Sequence, residues 1–268
     1  MSKTGFGYCF GASVIACALI LTGCAASNKV TTGDGELATS SDQTSAQKRA
    51  AINLQLAVGY YQRDELSVAL DKIKQALLAD PDYSEAYGMR GLIYMKMDEA
   101  RLADENFQKA LRLKPNNAEV SNNYGWFLCQ NGRAGESIAY FEAALKVRNY
   151  PAPAKALDNA GMCSLKLNDS AAAEKYFLRA FQIDPGNVAV NTNLAKMYYQ
   201  RRDYDHAKFY MGRVIKADVH DADVLWLGIR IAHKTGDRLT EATIGSELQR
   251  FQPNSVEYAA YQREAFDE

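Results

Sequence analysis

From Ala50 onward, small and large apolar residues return at a fixed interval. Pro81 and Pro115 stand 34 residues apart, and the same step leads from Pro185 to Val219 and on to Pro253. Ahead of the prolines run helix-spaced apolar segments that end in Asp or Lys, such as Leu77-Leu78-Ala79-Asp80 and Leu111-Arg112-Leu113-Lys114. Counting back from this ruler gives units that begin near Ala50, Ser84, Ala118, Ala154, Val188 and Ala222. Their eighth positions are small (Ala57, Gly91, Gly125, Gly161, Ala195), and so are their twentieth (Ala69, Ala103, Ser137, Ala173, Ala207). Large residues fall at the twenty-fourth (Ile73, Phe107, Phe141, Phe177, Met211). Such a unit is an antiparallel helix pair. Its small residues let the two helices close on each other, and its large ones fill the space to the next pair, so no unit buries its own face.

Over most of residues 46–253 this pattern resembles the tetratricopeptide repeat. The resemblance implies an all-α fold, a right-handed superhelical solenoid of about six helix pairs with a C-terminal capping helix from about Ser255 to Ala265. Two departures are visible. The ruler slips by two residues through Asn149-Tyr150-Pro151-Ala152-Pro153, which predicts a longer turn between the third and fourth units. The sixth unit keeps Pro253 but has Ile229 at position eight and Gly245 at position twenty-four, and so reads as degenerate.

The first 45 residues follow another logic. Residues 1–23 carry one charge, Lys3, and an apolar run from Phe10 to Leu21 that is short for a bilayer span and reads as a secretory signal. The run ends Leu21-Thr22-Gly23-Cys24, which resembles a bacterial lipobox with Cys24 as the acylated residue; an ordinary cleaved signal or a short anchor is the plainer alternative. On the lipobox reading several acyl chains hold the mature chain to a membrane, at roughly 0.8 kcal/mol per buried methylene. Ala25 after the cysteine implies the outer membrane, periplasmic face. Residues 24–45 are mostly Ser, Thr, Gly, Asn, Asp and Ala, with only Val30 and Leu37 as larger apolar residues, and predict a flexible tether of roughly 25 Å reach. Residues 46–268 form the repeat domain.

Charge and chemistry narrow the function. The formal net charge is −1 and becomes −2 without Lys3, with no basic patch to suggest a nucleic-acid partner. The three histidines, His206, His220 and His233, have no metal-ligand spacing, and phosphate-binding glycine loops are absent. No cofactor, metal, small-molecule substrate or enzymatic activity is expected.

In the repeat family, positions two, five, six, nine, twelve and thirteen of each unit face the concave side. Carried over, position six gives Asn123, Asn159 and Asn193, whose amides suit a captured peptide backbone or else satisfy neighbouring helices. Positions nine and twelve give Leu92, Met95, Trp126, Met162 and Tyr199, with Val58, Tyr61 and Leu165. That composition suits a protein-binding groove; self-burial in a more tightly curved stack is the alternative. Trp126 stands out as its exposed-looking aromatic, with Asn122 and Asn123 beside it. Cys129 and Cys163 fall on neighbouring first helices and form either a disulfide in an oxidising compartment or a pair of inert buried thiols.

The run Asn122 to Arg133, with Phe141-Glu142-Ala143-Ala144-Leu145, Tyr150-Pro151, Asn159-Ala160-Gly161-Met162-Cys163 and Ala173 to Ala180, is similar to the PilF/PilW family of type IV pilus lipoproteins. The resemblance implies an outer-membrane adaptor that binds a protein partner, the secretin or another pilus component, and promotes secretin assembly or pilus stability. A tetratricopeptide lipoprotein serving general outer-membrane protein or cell-wall assembly is the alternative.

Overall fold

The structure is a computed structural model and describes residues 42–267. The expected signal peptide, Cys24 and nearly all of the tether lie outside the described residues. Thirteen α-helices and no strands are present among the described residues. They form six antiparallel pairs: α1 (Ser45–Gln62) with α2 (Leu66–Ala79), α3 (Ser84–Lys96) with α4 (Ala100–Leu113), α5 (Ala118–Gln130) with α6 (Ala134–Leu145), α7 (Pro153–Lys166) with α8 (Ser170–Ile183), α9 (Val188–Gln200) with α10 (Tyr204–Ile215), and α11 (Ala222–Lys234) with α12 (Arg238–Phe251). A last short helix, α13 (Val256–Gln262), follows Ser255 as its N-cap. It is shorter than expected at its C-terminal end, where Glu264 turns the backbone at φ 53°.

Local chemistry sets the ends. The turn within each pair places one residue in the left-handed region, always at position fifteen: Asp64, Asp98, Gly132, Asn168, Arg202 and Gly236. Thr44 and Gln47 cap α1 reciprocally, and Asn117, Asp169, Asn187, Asp203 and Asp237 each accept a backbone N–H at the start of a helix. Three of the connections between pairs are four residues, as at Asp80–Tyr83, whereas that between α10 and α11 runs from Lys216 to Asp221 and the longest, between α6 and α7, from Lys146 to Ala152. That is the longer turn expected from the slipped ruler.

Packing within the second, third and fourth pairs rests on glycine against an aromatic ring. A Cβ on Gly91 would lie 2.9 Å from the Phe107 ring, one on Gly125 2.9 Å from Phe141, and one on Gly161 2.5 Å from Phe177. The sixth pair uses the same device one residue earlier: Gly228 faces Ile244, not Ile229 facing Gly245. Gly245 instead seats α13, since a Cβ there would sit 2.3 Å from the Tyr261 hydroxyl. The sixth unit is therefore an offset repeat whose spare glycine receives the cap.

Candidate protein-binding groove

The first helices of the pairs line one face, and position five decides its character. In α7 and α9 the position-six asparagines reach back to position five of the preceding unit. Asn159 Nδ2 donates to Asn122 Oδ1 at 3.0 Å, and Asn193 Nδ2 donates to Asp158 Oδ1 at 3.2 Å. These amides zip three successive first helices together. Asn122 is fully buried, not groove-facing, because it is the acceptor in that zip. Burial pushes the Asp158 carboxyl above its usual range, and the Asn193 bond opposes the shift.

Asn123 has no such partner, because position five of the unit before it is Gly88. Its amide turns within its own helix instead, donating to Glu119 Oε1 at 3.4 Å and accepting from Asn122 Nδ2 at 3.3 Å. The missing side chain also lets the helices close: a Cβ on Gly88 would lie 2.6 Å from Val120 Cγ2. Where the zip fails, a groove of about 340 Å³ opens across α1, α3 and α5. Leu54, Val58, Tyr61, Met89 and Leu92 give it apolar walls, and Asn123 lies at one side. Two carboxylates stand among the lining residues: Glu85, held by Lys114 Nζ at 2.7 Å, and Glu119, 3.9 Å from Lys155 Nζ. Val58 is 37% exposed, so the wall is open to a partner.

The other sequence-derived residues are dispersed. Met95 is half-buried against the Phe107, Tyr124 and Phe127 cluster. Trp126 is half-buried against Cys129, Phe141, Ala160 and Cys163, away from the groove. Met162 and Asn193 line a separate, more polar hollow of about 370 Å³ between α7 and α9, with Lys196 and Gln200. Tyr199 packs beside Tyr204, with the Arg230 guanidinium 5.1 Å from its ring centre. The structure joins Cys129 and Cys163 in a disulfide with Cα atoms 5.9 Å apart, linking α5 to α7 across the long turn. Leu54 and Met89 escaped the sequence reading, although the position-five series Leu54, Gly88, Asn122, Asp158 changes from apolar or absent to polar at the boundary of the groove.

Sequence and structure comparisons identify the family. Tetratricopeptide repeat models match residues 84–117, 116–186 and 164–227. The type IV pilus assembly protein PilF of Pseudomonas aeruginosa is 33% identical over 253 residues, covering 94% of this chain and 98% of the relative. The chain belongs to the PilF/PilW family of type IV pilus assembly proteins. The solved structure of P. aeruginosa PilF superposes with a TM-score of 0.76 at 31% identity, covering 82% of this chain and all of that one. PilW, described as a widely conserved type IV pilus biogenesis factor, superposes with a TM-score of 0.71 at 33% identity over 80% of this chain and 98% of its own. The shared architecture is a protein-interaction scaffold used in pilus biogenesis. Among the described residues no cluster of His, Cys, Asp and Glu is arranged to hold a metal ion.

Proposed function

We propose that this chain is a lipid-anchored adaptor of type IV pilus biogenesis, held at the periplasmic face of the outer membrane through Cys24. Its groove across α1, α3 and α5 captures a segment of the secretin and so promotes the secretin's assembly or its localisation in the outer membrane. The observation that carries this reading is the groove: an apolar surface left open by Gly88, on a scaffold shared with two pilus biogenesis proteins. Apolar walls supply affinity, while Glu85 and Glu119, each beside a lysine of this chain, give the groove a polar edge. The Leu21-Thr22-Gly23-Cys24 sequence supports the anchor, and the Cys129–Cys163 bridge suits an oxidising compartment.

The test uses the full-length chain with Val58→Asp, an exposed groove residue whose change spares the core. Pulldown of the secretin from envelope extracts is expected to fall at least tenfold while the melting temperature stays within a few degrees. Secretin recovery equal to the unmodified chain would falsify the groove assignment. Cys24→Ser tests the anchor separately: the protein is expected to leave the outer-membrane fraction, and its retention there overturns acylation at Cys24.

A further inference from the structure

The concave face does not remain open at its far end. Trp226, Arg230, His233 and Lys234 occupy positions five, nine, twelve and thirteen of the sixth unit, counted on the fixed ruler, which the repeat family turns to the concave side. Arg230 ties this face to the fifth unit, with its guanidinium 5.6 Å from the Trp226 ring centre and 5.1 Å from that of Tyr199. What covers it is the end of the chain itself. Beyond the turn at Glu264, the Phe266 ring stacks on His233 at 3.8 Å with 15° between planes, and on Trp226 at 5.8 Å with 24°. Phe266 is thereby 9% exposed. The next residue, Asp267, forms an ion pair with Lys234. Its carboxyl is held below the usual range chiefly by that lysine, with lesser help from His233 and Arg202.

The tail shares in closing the solenoid, since Phe266 joins the buried cluster of Leu225, Trp226, Ile229, Ile244 and Leu248. The cap proper is α13, which lays Tyr261 over Gly245 on α12. Phe266 and Asp267 reach past that cluster to His233 and Lys234 on α11, and they do so with a ring followed directly by a carboxylate. We propose that this end of the concave face is a second recognition subsite, for a partner segment carrying an aromatic residue followed by an acidic one. Phe266 and Asp267 fill it in the free chain as an intramolecular stand-in. The ring is received by Trp226 and His233, and the carboxylate by Lys234 with Arg202 near by. Because the tail is joined to α13 by only a short turn, its effective concentration is at least about millimolar. A competing segment must outbid it, so a partner engages this subsite only when the rest of its contacts deliver the motif at comparable local concentration. The tail thus sets a threshold that a free peptide does not pass.

The test is calorimetric titration of the full-length chain with the peptide Arg-Glu-Ala-Phe-Asp-Glu, the sequence of its own last six residues. The unmodified chain is expected to bind it at least tenfold more weakly than a Phe266→Ala/Asp267→Ala chain, in which the subsite is vacated while α13 remains. Lys234→Glu added to that double variant, or alanine in place of the peptide's phenylalanine, is expected to abolish binding. Should the double variant fail to fold, Asp267→Lys, which leaves the ring in place but breaks the ion pair, is expected to bind the peptide more tightly than the unmodified chain. The proposal is overturned if a folded double variant shows no saturable heat, if the Asp267→Lys chain binds no better than the unmodified one, or if Lys234→Glu leaves binding unchanged. Neither peptide nor readout involves the secretin, so failure here leaves the α1–α3–α5 groove standing, and failure of secretin capture leaves this subsite standing.

Discussion

At Gly161 the usual ranking of helix formers is expected to reverse. Alanine inside a helix is ordinarily favoured over glycine by about 1 kcal/mol. Here its Cβ would lie 2.5 Å from Cε1, 2.7 Å from Cδ1 and 2.8 Å from Cζ of Phe177. Phe177 is fully buried, so its ring cannot swing into solvent to make room. Gly161→Ala is therefore expected to destabilise the domain by about 2 kcal/mol, an overpacking cost of about 3 kcal/mol for so close an approach less the helix gain of about 1 kcal/mol. Urea unfolding measures it, and a variant as stable as the original would mean that α7 and α8 separate without penalty. Gly88 is tight for a different reason, the approach of α5 through Val120. The sequence pattern marks Gly161 plainly, since it recurs at position eight. It does not mark Gly88, whose importance lies in the absence of a partner for Asn123 one unit later.

The same distinction holds for whole helices. All six pairs and the cap were legible from periodicity, because each helix must bury a small–large contact that repeats along the chain. The sixth pair was misjudged because its contact slid by one residue to Gly228 and Ile244, and a fixed ruler reads a slide as decay. The groove was only half legible: Leu92 and Asn123 line it, whereas Trp126 is packed beside the disulfide. Position number alone cannot say whether a concave-side residue meets a partner or its neighbour's side chain. At α5 and α7 this distinction yields two expectations. Trp126→Ala should lower stability without weakening secretin capture, whereas Val58→Asp should do the reverse; melting and pulldown on both variants separate packing from recognition. Replacing both Cys129 and Cys163 with alanine opens a loop of sequence separation 34 and should cost roughly 3–4 kcal/mol. Chemical unfolding of that variant beside the unmodified chain gives the value, and an unchanged midpoint would show that the long turn is already held by its own packing.

Across the whole domain, the stack of pairs hides tyrosines rather than displaying them, and this determines how stability responds to alkali. Desolvation is the leading cause of a raised phenol pKa at Tyr83, Tyr124, Tyr150, Tyr176, Tyr198, Tyr199, Tyr210 and Tyr261. Tyr124 and Tyr176 are pushed up to about 12. At Tyr124 a second cause adds to burial: its hydroxyl donates to Asp104 Oδ1 at 2.8 Å, a bond that the phenolate could not make. A neutral phenol favoured in the folded state keeps its proton longer there than in the unfolded chain, where it ionises near pH 10. Above that pH the folded state binds more protons than the unfolded one, so stability falls as pH rises. The contribution is intact below pH 10 and is lost progressively through about pH 12. Because these residues are spread from Tyr83 in the loop before α3 to Tyr261 in α13, the loss should weaken the stack along most of its length. Unfolding free energy measured from pH 8 to pH 12 is expected to stay level to about pH 10 and then drop steeply. Tyr124→Phe removes both the ionisable hydroxyl and its bond to Asp104, and should give a chain less stable at pH 8 but with a shallower decline above pH 10. An equal slope in the two proteins would mean that Tyr124 ionises in the folded stack as readily as in water, and that the Asp104 bond does not hold its proton.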